Sequence, residues 1–248
     1  MLTLENVDVI LGKNGKLEKK ILNKLNLNVK KGEFVVIIGE NGAGKSTLLN
    51  VISGFVQIDS GKVMINKENV THTSQRYRTQ LVSKVMQDPK LGTMENMTLL
   101  ENMAFAFKRG QTRGLTCFSN EYRIEIFKEK LKILNIGLEH RLQDLVKDLS
   151  GGQRQALSII MAMLQKSDIL LLDEITAALD PISTDFIMEQ THLIVKKQKL
   201  TCVMITHNMF HAIKYGDQLW VLKNGSLIKS YDKQEKTNMT AAKLSAEL

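Results

Sequence analysis

The chain has 248 residues, 43% hydrophobic and 24% charged, enough apolar content for one sizeable core or a core with an attached lobe, which excludes a disordered chain. No apolar run approaches the roughly 18 residues that span a bilayer, and Met1-Leu2-Thr3-Leu4-Glu5-Asn6 has neither the basic start nor the apolar stretch of a signal peptide, so a cytoplasmic location is expected. The net charge of +8 raises nucleic acid or an anionic surface as partners, yet aromatic residues make up only 5% and are not interleaved with Lys13, Lys16, Lys19, Lys20, Lys24, Lys30 and Lys31, which read as a solvated basic surface.

In chain order, residues 2–10 alternate as a strand, Lys13-Asn14-Gly15-Lys16 supplies a turn, and residues 21–29 form a second strand. Lys31-Gly32-Glu33 turns into the buried strand 34–38, and a helix follows to about Ser53. Asp59-Ser60-Gly61-Lys62 reads as a hairpin turn before the strand Val63-Met64-Ile65, and another strand, 81–87, follows the polar stretch 71–78. Between residues 88 and 147 strand signals vanish, and two helical patterns, 98–108 and 121–134, are joined by a basic linker over 109–119. This segment is expected to be a helical lobe inserted into an α/β core formed by 1–87 and 148–239. The remaining elements are a helix from Gly151 to about Gln165, an apolar strand 169–172, a helix 181–195, a strand 201–206, a closing hairpin 219–222 and 226–230, and a tail, 240–248, with one short helix. Cys117 and Cys202 fit neither a disulfide framework nor a metal cluster and read as packing residues.

Six motifs carry chemistry. The run Gly39-Glu40-Asn41-Gly42-Ala43-Gly44-Lys45-Ser46-Thr47, between a strand and a helix, has the form GxxxxGK[ST] of a phosphate-binding loop. Its glycines let successive N–H groups converge on a phosphate at a helix start, Lys45 can reach the β- and γ-phosphates, and the Ser46 hydroxyl can hold Mg²⁺. A lysine in the first turn of a helix opposes the macrodipole, a conflict that an anionic ligand removes. Leu149-Ser150-Gly151-Gly152-Gln153 precedes a second helix start; alone it reads as a cap, but behind a phosphate loop it points to a second phosphate contact. Ile169-Leu170-Leu171-Leu172-Asp173-Glu174 ends an apolar strand in two carboxylates, which need a partner such as Mg²⁺ on Asp173, with Glu174 placed to polarise an attacking water. Gln87 and His207 end strands whose carboxyl edge is where ligands bind in α/β sheets, and Ala178-Leu179-Asp180 completes the set.

With these motifs in this order over nearly its whole length, the chain resembles ATP-binding subunits of the ABC transporter superfamily. The resemblance implies a P-loop NTPase fold, a mixed sheet with flanking helices, an antiparallel β subdomain and the inserted helical lobe. It implies a head-to-tail homodimer with two ATP molecules, each held between Gly39–Thr47 of one copy and Ser150, Gly151, Gly152 and Gln153 of the other. By position, Lys45, Ser46 and Thr47 would bind phosphate and Mg²⁺, and Gln87 would sense the γ-phosphate, the metal and the permease. Asp173 would serve the metal, Glu174 would be the general base, His207 would contact the γ-phosphate, and Asp180 would communicate across the dimer. The partner would be a transmembrane permease, with a separate substrate-binding protein, and the chain would sit peripherally at the cytoplasmic face of the inner or plasma membrane. No nucleic acid is expected as a partner.

Two departures from the family pattern stand out. Leu11 lies at or near the place of the aromatic residue that stacks on adenine, which implies weak base stacking. Ile175-Thr176-Ala177-Ala178 lacks the usual proline and serine, which alters loop stiffness rather than the reacting groups. Within the superfamily, Gln87-Asp88-Pro89-Lys90-Leu91-Gly92-Thr93, Met97-Thr98-Leu99-Leu100-Glu101-Asn102, the segment 109–115 and Thr206-His207-Asn208-Met209 resemble importer ATPases for tryptophan or tyrosine uptake. The rival reading, an ATPase of this superfamily acting on nucleic acid or ribosomes, draws on the positive charge, but the chain shows no tandem domain, sustained heptads or cysteine cluster.

Overall fold

The computed structural model describes residues 1–12, 18–111 and 120–248. The expected turn at Lys13–Lys16, most of the 109–119 linker and Cys117 lie outside the described residues.

Among the described residues ten strands and ten α-helices follow in order: β1 (Leu2–Leu11), β2 (Lys19–Val29), β3 (Phe34–Ile38), α1 (Lys45–Ile52), β4 (Ser60–Ile65), β5 (Glu68–Asn69), α2 (Gln75–Leu81), β6 (Val82–Val85), α3 (Pro89–Gly92), α4 (Leu99–Phe107) and α5 (Glu121–Lys132). After two short 3₁₀ turns come α6 (Gly151–Met163), β7 (Ile169–Asp173), α7 (Pro181–Lys197), β8 (Thr201–Ile205), α8 (Met209–Lys214), β9 (Gln218–Lys223), β10 (Ser226–Tyr231), α9 (Lys233–Thr237) and α10 (Ala241–Ser245).

The strands form two sheets, an antiparallel one in the order β2-β1-β4-β5 and a six-stranded one in the order β10-β9-β3-β8-β7-β6. In the second, β3 lies parallel to β8 and β9, β7 lies parallel to β6 and β8, and β10 pairs antiparallel with β9. Apolar residues on both faces of β3, β7 and β8 are what a buried parallel sheet demands. One face of the sheet, with Val36, Leu170, Leu172 and Met204, packs against α4 to α8; the other, with Val35, Ile37, Leu171 and Val203, packs against α1 and the antiparallel sheet. The apolar residues of α4 and α5, such as Leu99, Met103, Phe127 and Leu131, belong to the first of these clusters. Among the described residues no helix is long and apolar enough to cross a membrane.

The structure corrects the sequence reading in three places. Ser60, Gly61 and Lys62 are not a turn but the first half of β4, paired with β1 across an irregularity between Glu5 and Asp8. Gly61 makes that crossing possible: its φ is +92°, and a Cβ there would lie 2.4 Å from the Asn6 carbonyl oxygen. The stretch before β6 is not all loop, because Ser74 caps α2 by accepting from the Tyr77 N–H, and Leu81 ends that helix rather than starting the strand. Strand β6 stops at Val85, so Gln87 lies in the connection to α3 and not at a strand end.

Candidate active site

Strand β3 delivers the phosphate loop to the carboxyl edge of the larger sheet, beside the ends of β7 and β8. Gly39 is dictated by crowding: a Cβ there would sit 2.3 Å from the Leu222 carbonyl oxygen on the neighbouring β9. The far side of the loop is braced from the hairpin that joins β9 to β10, where the Gly225 N–H donates to the Ala43 carbonyl at 3.0 Å. Helix α1 then starts from Gly44, at φ 98°, with no side-chain cap and no acidic residue in its first turn. Lys45 is only 5% exposed. Its ammonium donates to the carbonyls of Gly39 at 2.7 Å and Glu40 at 2.9 Å. Burial pushes the Lys45 ammonium below the usual lysine range, and the charges of Glu174 and Asp173 pull it partly back.

Asp173 is the last residue of β7 and is 8% exposed. Its Oδ2 pairs with the Lys84 ammonium at 3.0 Å, and the same ammonium donates to Asn50 Oδ1 on α1 at 2.9 Å. Lys84 was not singled out from the sequence. The available signal was a charged residue inside the short, otherwise buried strand β6.

Glu174 follows with a left-handed backbone, φ 47°, and its N–H donates to the Ile205 carbonyl at 3.1 Å. A non-glycine residue held there costs on the order of 1–3 kcal/mol, and such strain clusters at functional sites. The turn aims the side chain at His207, whose Nε2 lies 2.7 Å from Glu174 Oε1. The pair opens onto a cavity of about 560 Å³ that also borders Thr206, Asp185 and His211.

Helix α6 starts differently. Ser150 and Gln153 form a capping box: Ser150 Oγ accepts from the Gln153 N–H at 3.2 Å, and Gln153 Oε1 accepts from the Ser150 N–H at 3.1 Å. The cap reading of this motif is thus realised in the fold, with the N–H groups of Gly151 and Gly152 outside the box. Gly152 packs on Ser183 of α7, the helix that Asp180 caps by accepting from the Ser183 N–H at 3.0 Å. No hydrogen bond or ion pair among the described residues joins Ser150–Gln153 to Gly39–Thr47. Gln87 is exposed, and none of the hydrogen bonds described involves its side chain. Leu11 closes β1 opposite Lys19, with 46% of its surface exposed and no ring to offer a base.

The structure therefore brings together Lys45, Asp173, Glu174 and His207, and it leaves Ser150–Gln153 and Asp180 side by side elsewhere on the same chain. A cationic loop facing a paired carboxylate and histidine can bind a polyphosphate and position a water for attack on it.

Comparison with known proteins agrees with this chemistry. The family model described as "ABC transporter" matches residues 22–177. The chain is 41% identical over 225 residues to a tyrosine transport ATP-binding protein of Clostridioides difficile (strain R20291), covering 90% of this chain and 89% of that one. It is 33% identical to a choline transport ATP-binding protein of Bacillus subtilis (strain 168), covering 92% of this chain but only 57% of the relative's length. Among solved structures it superimposes on a dimeric ATP-binding cassette, MJ0796, in a post-hydrolysis state bound to ADP and Pi, with TM-score 0.80, 30% identity, and coverage of 94% of this chain and 99% of that one. It also matches the ADP conformation of the cassette MJ1267 with TM-score 0.82 and 27% identity, covering 100% of this chain and 97% of that one. The chain belongs to the ABC transporter family, as an ATP-binding and ATP-hydrolysing cassette.

Proposed function

We propose that this cassette works as a head-to-tail pair that powers an importer of aromatic amino acids, with Glu174 as the general base of hydrolysis. The contact that carries the assignment of the base is Glu174 to His207 at 2.7 Å, held on a strained turn. Glu174 Oε1 faces the histidine, which leaves the other carboxylate oxygen to hold the attacking water and take its proton. The water oxygen bonds to the γ-phosphorus as the bond to the ADP oxygen breaks. Lys45 exchanges its two carbonyl partners for phosphate oxygens, and His207 orients the γ-phosphate. The substrate class is supported by the tyrosine transport relative, which the chain matches along most of both lengths.

Mg²⁺ fits the residues present. Asp173 is a buried carboxylate with Oδ1 outside its ion pair, and Ser46 offers a hydroxyl at the start of α1. When bound, Mg²⁺ would neutralise charge on the β- and γ-phosphates, with Gln87 as a further oxygen donor.

The second copy supplies Ser150–Gln153, since these stand apart from the phosphate loop within one chain. The γ-phosphate is then contacted from both copies only when the pair is closed, and this differential binding drives closure, with Asp180 at the seam between copies. Residues 88–147 act as the lobe that moves with closure. A cavity of about 570 Å³ between that lobe and the core, bordered by Met86, Met94, Phe105 and Ser158, lies just before Gln87 and is where a permease would dock. The assembly would include a separate substrate-binding protein, with the cassette at the cytoplasmic face of the membrane.

Glu174→Gln tests the assignment of the base. ATP turnover should fall by at least about 10²-fold, while ATP-dependent dimers accumulate in light scattering, with the permease supplied if the isolated chain is idle. Undiminished turnover would overturn it.

A further inference from the structure

We propose that Lys84 is a positioning residue that sets the metal affinity of the site by occupying half of the Asp173 carboxylate. This rests on the reading that Asp173 holds the metal.

The geometry is specific. The Lys84 ammonium lies 3.0 Å from Asp173 Oδ2 and donates at 2.9 Å to Asn50 Oδ1, so one cation ties β6, β7 and α1 together behind the phosphate loop. Both members of the ion pair are shielded, with side-chain exposures of 14% for Lys84 and 11% for Asp173. At that depth a unit charge is felt strongly by its neighbours, because little water screens it.

Two consequences follow for a cation approaching Asp173. Oδ2 is held by the lysine, so only Oδ1 is offered, which fixes the direction of approach. The pair as a whole carries no net charge, so Asp173 alone attracts a divalent ion weakly, and a lysine ammonium nearby repels it. The missing negative charge has to come from the nucleotide phosphates. Asn50 moderates the effect, since it draws the ammonium partly away from the carboxylate.

The probe is Mn²⁺, read by electron paramagnetic resonance on the full chain with a non-hydrolysable ATP analogue, which measures metal binding without turnover. In Lys84→Met the Mn²⁺ midpoint should fall by about tenfold, while analogue binding in EDTA should weaken by about two- to threefold, because a cation near the phosphates is lost. These opposite signs separate the proposal from a structural defect, which would weaken both. Lys84→Arg should restore the wild-type midpoint to within about twofold. Asn50→Ala, which leaves the ammonium wholly to Asp173, should raise the midpoint by about twofold, and it keeps the proposal testable if Lys84→Met does not fold. An Mn²⁺ midpoint that is unchanged or raised in Lys84→Met, or unchanged or lowered in Asn50→Ala, would overturn the role of Lys84. Asp173→Asn separates the two readings: if it shifts the midpoint and Lys84→Met does not, only the Lys84 proposal fails, and if Asp173→Asn itself has no effect, the metal assignment fails with it.

Discussion

Two helix starts in this protein look alike in sequence and behave differently in the fold. Both have glycine at the start, as the N-cap Gly44 of α1 and as the first two residues of α6, and both present N–H groups at the positive dipole end. Helix α6 satisfies part of its own start through the Ser150 and Gln153 box, so its shape is set before any ligand arrives. Helix α1 has no side-chain cap and carries a buried lysine where the dipole favours an acid. It forgoes roughly 1 kcal/mol that a cap would contribute, and its lysine donates to the carbonyls of Gly39 and Glu40 instead. One start thus leaves its donors open to a ligand, and the other is preformed by its own cap.

The largest effect expected from this contrast is at Lys45. Lys45→Ala should weaken ATP binding by at least about tenfold, since a charge-assisted contact to phosphate contributes roughly 1.5–3 kcal/mol, measurable by calorimetry on the isolated chain. Unchanged affinity would mean that the loop amides alone hold the phosphates, and the contrast would lose its main support. Next in size, Ser150→Ala removes the cap of α6 and should lower stability by about 1 kcal/mol, a fall in Tm of roughly 2–4 °C for a chain of this size. That loss should appear without nucleotide, because the box closes within one chain; a Tm shift seen only with ATP would show that Ser150 matters through the ligand rather than as a cap. The smallest difference should be between ATP and GTP. Leu11 offers no ring for stacking, so the two nucleotides should bind within a few-fold of each other, and strong discrimination would show that the base end, and not only the phosphate loop, holds the nucleotide.

Much of this was legible in the residues themselves. The buried parallel strands β3, β7 and β8 were readable because uninterrupted apolar runs bounded by glycine or charge have few other uses. The closing hairpin was readable from Asn224 and Gly225, which do take positive φ values of 49° and 74°. The errors fell where local pattern and tertiary pairing disagree. Ser60-Gly61-Lys62 looks like a turn, yet β1 recruits it as a strand through a glycine that tolerates the irregular crossing. Helix α2 carries too few apolar residues to show helical periodicity; it is held by its Ser74 cap and by Arg78, whose buried guanidinium donates to the carbonyls of Val70 and Ile52.

The sequence by itself determined the chemistry of the site, because a phosphate loop, a strand ending in Asp173 and Glu174, and His207 after another strand each require particular residue types at short spacings. Tertiary structure alone decided which of these groups meet. Pairing of β7 with β8 sets Glu174 against His207, pairing of β6 with β7 brings Lys84 onto Asp173, and contact between α6 and α7 places Ser150–Gln153 beside Asp180 rather than beside the phosphate loop. The physical reason is that local spacing constrains only neighbours along the chain, whereas charges and donors far apart in sequence are matched by the register of a sheet that the apolar core has already fixed.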